Sequence, residues 1–225
     1  MTAADMSLEQ AILNRRSVRG YRADPVPADT LDAIFRLAQQ APSNCNIQPW
    51  KVYVASGATR DALRERMVEK ASQGVMINPD FDHLPNFEGV YRQRQVDCAV
   101  ELYGNMGIDR GDKIGRAKAA LRNFELFDAP HVAFIGMERH FGVTVALDVG
   151  MYIQTLMLAM TAYGVGSCAQ GALRYYPDQV REEFGLPDSE AILCGISFGF
   201  EDQQVAANRT RVGREPLSAN VTFKG

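Results

Sequence analysis

The sequence is poor in the side chains that hold metals or cross-links. Its 225 residues include only four cysteines and three histidines. Cys45, Cys98, Cys168 and Cys194 form no C-x-x-C pair, and their spacing suits neither a zinc site nor a dense disulfide scaffold. His83, His131 and His140 form no H-E-x-x-H, so the usual Cys/His metal sites are not indicated. An excess of one charge is lacking too. The 24 Lys+Arg against 27 Asp+Glu leave a formal charge of −3, which argues against a general nucleic-acid binder. No run of about 18 uninterrupted apolar residues occurs, so no membrane-spanning helix is expected. The first ten residues, MTAADMSLEQ, carry acidic groups and no apolar core, unlike a secretory signal. Glycine (19) and proline (10) are near average, which excludes collagen-like and linker-dominated chains. What remains is a soluble, cytoplasmic globular chain, read as a single domain over 1–225.

Hydrophobic periodicity supplies the elements. Ser7 to Gln10 reads as a capping box opening a short helix through Ala11, Ile12 and Leu13. Leu31, Ile34, Phe35 and Ala38 recur at helical spacing, which predicts a helix over 29–41 stopped by Pro42. Residues 51–55 read as a strand, and Thr59 as the cap of a helix over 60–71. Turn signals from Gly74 to Gly89, including Leu84-Pro85, precede polar helical segments at 91–105 and 112–127. The region 74–122 is therefore expected to be a lid. Residues 131–137 and 191–200 read as buried strands. The stretch 145–163 reads as a helix apolar on every side, suited to a core or an interface. Asp148 and Gln154 within it argue against a membrane span. Residues 164–172 form a Gly-rich small-residue segment, 177–185 a short helix with Pro at its start and Gly at its end, and the tail 201–225 ends in a β-like VTF. Helices alternating with short apolar strands indicate an α+β or mixed α/β layer fold.

Four constellations bear on chemistry. Arg15, Arg16, Ser17 and Arg19 place three guanidinium groups and a hydroxyl within five residues, a compact anion site. The bland reading is a solvated helix end whose cations complement the dipole. Pro42, Ser43, Asn44, Asn46 and Gln48 lie in a loop whose amides can read a heterocycle, or can simply satisfy a turn. The segment GVGSCAQG at 164–171 is not G-x-G-x-x-G and follows a helix, so a dinucleotide-binding Rossmann fold is rejected. Its small residues still let backbone approach a flat ligand closely. Arg211 and Arg214 in the tail carry little weight alone. Cys168 is read as an inert thiol rather than a nucleophile, and His131 as a satisfied core histidine.

In this order, RRSVR, APSNCNIQPW, NFELFDAPH, GVGSCAQGAL and RVGREPL resemble the FMN-dependent nitroreductase family over about residues 8–217. The resemblance implies an α+β sandwich with a central mixed sheet flanked by helices, in an intertwined homodimer with FMN at its interface. The extension 201–225 would wrap the partner. Arg15, Arg16, Ser17 and Arg19 would hold the FMN phosphate, ribityl chain and flavin edge. Arg214 would be the second phosphate arginine, with Arg211 as a helper. Pro42, Ser43, Asn44 and Asn46 would come from the other subunit, Gln170 and Gly171 would present backbone near flavin N5, and Asn123 would touch the flavin or ribityl chain.

The implied reaction is ping-pong: NADPH or NADH reduces the flavin, and a nitroaromatic then takes the electrons. The cofactor carries the chemistry, so no side-chain nucleophile or acid–base pair is required. Arg92, Arg94 and Arg110 are placed to favour NADPH by meeting its 2′-phosphate. Three other readings compete. Glu88, Tyr91 and Lys113 lie where dehalogenases of the same fold grip an amino-acid substrate. The chain is otherwise a flavin-binding module without turnover, or an RNA binder through the arginines of 15–22, which the net charge opposes.

Overall fold

The structure is a computed structural model, and it describes residues 6–81 and 86–225. The turn expected at Leu84-Pro85 lies outside the described residues. Helices α1 (Leu8–Asn14) and α2 (Ala28–Ala38) precede strand β1 (Lys51–Ser56). Helices α3 (Gly57–Ser72), α4 (Gly89–Asn105) and α5 (Lys113–Leu121) lead to β2 (His131–Glu138). The long α6 (Val143–Ala162), β3 (Gly166–Gln170), α7 (Pro177–Phe184) and β4 (Glu190–Gly199) complete the order.

The strands pair in the order β1-β2-β4-β3, each pair antiparallel. The parallel component of the expected mixed sheet is confined to a bridge between Ser17 and Ser167. Strand β2 is buried on both faces, which explains its unbroken apolar run. Its Ala133, Ile135 and Met137 face a core closed by α2 and α6, where Trp50 stacks on Tyr152 at 4.8 Å. Val132 and Phe134 face a second core with Leu63 and Met67 of α3 and Val180 of α7. The alternation is the period-two pattern of a strand between two helical layers.

Local signals account for most boundaries. The capping box at Ser7 and Gln10 is formed, with N–H to oxygen distances of 3.2 and 2.9 Å. Pro177 opens α7, and Gly185 ends it at φ 63°. Several expectations are corrected. Helix α2 stops at Ala38, because Gln39 to Ala41 close into turns before Pro42. Helix α3 begins at Gly57, directly after β1, so Thr59 is interior and not the cap. The expected helix 112–127 ends at Leu121, and a short 3-10 turn with positive φ follows at Leu126–Asp128. Residues 221–223 form no strand, since no described strand of this chain lies beside them.

Helix α6 divides its apolar surface. Val149, Tyr152, Leu156 and Met160 are buried, whereas Val143, Leu147 and Met151 form an outward stripe that is 81%, 66% and 40% exposed. By length and composition alone this helix is apolar enough to cross a membrane, but its inner face is core. Leu8 and Leu13 of α1 are also outward.

Candidate functional site

The arginine-rich segment after α1 is a strap laid across the sheet edge. The Val18 N–H donates to the Ser167 carbonyl at 3.0 Å beside the Ser17–Ser167 bridge. A Cβ built on Gly166 meets Val18 at 2.8 Å, and one on Gly20 meets Val205 at 2.5 Å. Both glycines are therefore required for the strap to lie flat between β3 and the segment after β4. The small residues of 164–172 thus serve strand packing, and part of this Gly-rich segment is β3. The Tyr21 hydroxyl lies 2.8 and 2.9 Å from the carbonyls of Val18 and Ser197. Burial pushes its pKa well up, so it stays a neutral donor.

Asn208 clamps the strap. Its Oδ1 accepts from the Arg19 N–H at 2.6 Å, and its Nδ2 donates to the carbonyls of Gly20 and Asp202, both at 2.8 Å. Its own carbonyl accepts from Arg211 at 2.8 Å. One buried amide therefore ties the strap to the tail.

Strap and tail enclose a cavity of about 600 Å³. Arg15, Arg16, Ser17 and Arg19 line it from one side and Arg211 and Arg214 from the other, with no carboxylate in the lining. Arg16 pairs with Glu201, so its charge is already compensated. The guanidinium groups of Arg15, Arg19, Arg211 and Arg214 have no carboxylate partner among the described residues, although the Arg211 backbone N–H donates to Glu101 Oε1 at 3.5 Å. Arg211 and Arg214 are instead fixed by backbone carbonyls at 2.8–3.0 Å. Burial raises the Cys168 thiol pKa, although the Arg19 and Arg15 cations and a hydrogen bond with Ser17 act against the rise. Cys168 is an inert core thiol.

Arg19 also lines a neighbouring cavity of about 440 Å³ with Asn123 and Phe127. Behind that lining, the Gln170 Nε2 donates to the Asn123 carbonyl at 2.9 Å, while the buried Gln170 Oε1 has no partner among the described residues. The position of a Cβ on Gly171 meets open space. Arg19 thus lines both cavities and Asn123 the second, whereas Gln170 and Gly171 line neither. The Pro42–Asn46 loop lines neither cavity. It is rigid nonetheless: Asn44 N–H donates to the buried Asp148 at 3.0 Å, and Gln48 N–H donates to Ser43 Oγ at 2.9 Å. Cys45, Asn46 and Gln48 hold φ of 48°, 56° and 46°, and Asn44 and Asn46 are exposed.

Other expected residues have different partners. Arg94 is held by Glu215 at 3.1 Å and lies over the Tyr91 ring, which takes it away from the role expected with Arg92 and Arg110. Neither a hydrogen bond nor an ion pair joins Glu88, Tyr91 and Lys113 to one another. His131 is the core histidine expected. Its Nε2 accepts from the Val26 N–H at 2.9 Å, its Nδ1 lies 2.5 Å from Ser56 Oγ, and its ring stacks on Phe198. Sequence reasoning missed Asn208 and Glu201, whose partners in the strap, Arg19 and Arg16, lie more than 180 residues away in the chain. It used Asp148 only as an argument against a membrane span.

The Nitroreductase family model matches residues 12–200. The chain belongs to the nitroreductase family. Nitroreductase NfnB of Mycolicibacterium smegmatis is 41% identical over 96% of this chain and 92% of its own length. The 4-nitrobenzoate reductase of Nocardioides sp. is 34% identical over 96% and 90%. The crystal structure of the FMN-dependent nitroreductase NfnB from Mycobacterium smegmatis in complex with NADPH superposes with a TM-score of 0.92. It is 40% identical and covers 96% of this chain and 97% of that one. Within this nitroreductase-family chain the family match ends at residue 200, so Arg211 and Arg214 stand at the cavity on geometry.

Proposed function

We propose that this chain is an FMN-dependent NAD(P)H oxidoreductase that reduces nitroaromatic compounds, acting as a soluble cytoplasmic homodimer. The observation that carries the reading is the arginine cavity: five guanidinium groups and no acid in its lining. Uncompensated cations held together repel one another, and a phosphate dianion among them relieves that repulsion through charge-assisted, bidentate hydrogen bonds. A volume of about 600 Å³ falls within the roughly 300–1,000 Å³ of small-molecule sites. The residues present fit FMN. Arg15, Arg19, Arg211 and Arg214 are the free cations for its phosphate, with the Ser17 hydroxyl beside them. Arg16, already paired, forms wall rather than free charge. The open space at Gly171 suits the close approach of a flat ring.

When bound, FMN supplies hydride and electron transfer between NAD(P)H and an electron-poor acceptor. The chain's own residues bind and orient. Arg19, shared by both cavities, holds positive charge where electron-rich reduced flavin needs it. Gln170 and Gly171 offer backbone to the ring, and Asn123 fixes the Gln170 side chain. Pro42, Ser43, Asn44 and Asn46 complete the site from a second copy. The exposed stripe of α6 and the outward leucines of α1 are the surface that such a copy covers. The tail 201–225 reaches over it, and 74–122 acts as a lid that selects the acceptor. The names of the relatives, among them a 4-nitrobenzoate reductase, support the acceptor class.

The test is anaerobic stopped-flow absorbance of the FMN-loaded protein. Bleaching by NADPH followed by reoxidation with a nitroaromatic is expected. A protein that takes up no flavin, or one whose flavin is never bleached, refutes the proposal.

A further inference from the structure

A second group of guanidinium side chains lies between α4 and α5. A cavity of about 500 Å³ is lined by Arg92, Arg110 and Arg116 against an apolar wall that includes Val96, Val100 and Tyr103. Asp109 is the one carboxylate in that lining. Arg92 donates to the Gln95 amide oxygen. None of the three arginines has an acidic side-chain partner among the described residues. The cavity is therefore cationic, and its charge is unspent within the chain.

Its position gives that charge a meaning. Tyr103 lines both this cavity and the one containing Asn123, and Arg19 joins the latter to the phosphate cavity. From Arg92 to Tyr103 the helix axis runs about 16 Å, a length on the scale of a dinucleotide. Val96, Val100 and Tyr103 offer the apolar wall against which an adenosine packs, and the arginines offer planar donors suited to a phosphate monoester.

We propose that the α4–α5 cavity is a subsite for the 2′-phosphate of NADPH, formed by Arg92, Arg110 and Arg116, and that it makes NADPH the preferred reductant over NADH. The inference rests on the function proposed above. It replaces Arg94, which Glu215 holds, with Arg116. Arg92 and Arg110 are solvent-exposed and Arg116 half-buried, so NADH leaves no buried charge stranded. The preference is then a gain for NADPH rather than a penalty on NADH.

Two probes without a nicotinamide read the subsite directly. In the FMN-loaded protein, 2′,5′-ADP is expected to bind at least about tenfold more tightly than 5′-AMP by calorimetry, the scale of one charge-assisted contact. In Arg110→Ala/Arg116→Ala the two affinities should converge to within about twofold, and the NADPH-to-NADH ratio of kcat/KM should fall by the same factor. Both substitutions lie outside the cores, so the fold is retained, and circular dichroism with thermal unfolding checks this. Equal affinities in the parent protein, or a preference that survives both substitutions, overturn the subsite. If NADPH and NADH still bleach the flavin in that case, the proposed function stands without it. A chain that binds no flavin overturns the proposed function, while the adenosine phosphates still read the subsite through the same pair of variants.

Discussion

Replacing Asn208 with alanine tests the clamp that builds the arginine cavity proposed to hold the flavin phosphate. The side chain is 3% exposed and satisfies three backbone groups: the Arg19 N–H, the Gly20 carbonyl and the Asp202 carbonyl. A buried polar group left without its partner costs about 1–3 kcal/mol. The bonds to Arg19 and Asp202 are only partly buried, so water recovers part of the loss and the sum is about 3–5 kcal/mol. At roughly 2–4 °C per kcal/mol for a chain of this size, Tm should fall by about 6–20 °C. The ligand effect is more specific. The strap presents Arg15 and Arg19, and the tail presents Arg211, whose guanidinium rests on the Asn208 carbonyl. Loosening the clamp should reduce the preference for FMN over riboflavin, because the two ligands differ only by the phosphate. Asn208→Asp keeps an acceptor for Arg19 but sets a carboxylate oxygen against two carbonyls, so it should be no better tolerated than alanine. The assays are thermal unfolding and flavin fluorescence titration with both ligands. A variant within about 2 °C of the parent that keeps its FMN preference refutes the reasoning, and so does a well-tolerated aspartate.

Arg15→Ala should weaken FMN binding by about 10–100-fold with little change for riboflavin, the loss of one charged contact; equal weakening of both ligands in fluorescence titration contradicts its role at the phosphate. His131 should make stability fall in mild acid. Burial, then the Arg60 cation, lowers its pKa in the folded chain. The unfolded chain therefore takes the proton first, so the stability present above about pH 6.5 is lost as pH falls below it. Denaturant midpoints of the parent and of His131→Asn, compared from pH 7.5 to 5, should converge towards the acid end; parallel curves remove this account. Leu147→Glu, on the 66% exposed side of α6, should shift the protein from dimer towards monomer in sedimentation and lower FMN affinity with it; a variant that stays dimeric places the interface elsewhere.

The sequence was most readable where one local rule decides. Strand β2 carries its apolar run because both faces are covered, and α7 carries its Pro and Gly at the two ends. Strand β3 was not readable as a strand. Gly166, Ser167 and Ala169 have weak strand preference, and the segment extends because β4 and Val18 hold it from two sides. The VTF tail shows the converse, a strand-like triplet without a pairing strand. The first arginine cluster was visible because its members are adjacent in sequence. The clamp was not, because Asn208 in the segment AANRTR gives no sign that it meets Arg19. Charge compensation was equally hidden: Glu201 on Arg16 and Glu215 on Arg94 remove two arginines that composition alone left free.

The most direct test of the central claim is a paired titration of the flavin-free protein with FMN and with riboflavin at low and high salt. Four uncompensated arginines around one cavity predict one FMN per chain, bound at least about 100-fold more tightly than riboflavin. They also predict that the advantage shrinks as salt screens the phosphate contacts. Equal affinity for the two ligands, or an FMN preference indifferent to salt, would contradict the assignment of the arginine cavity to the flavin phosphate.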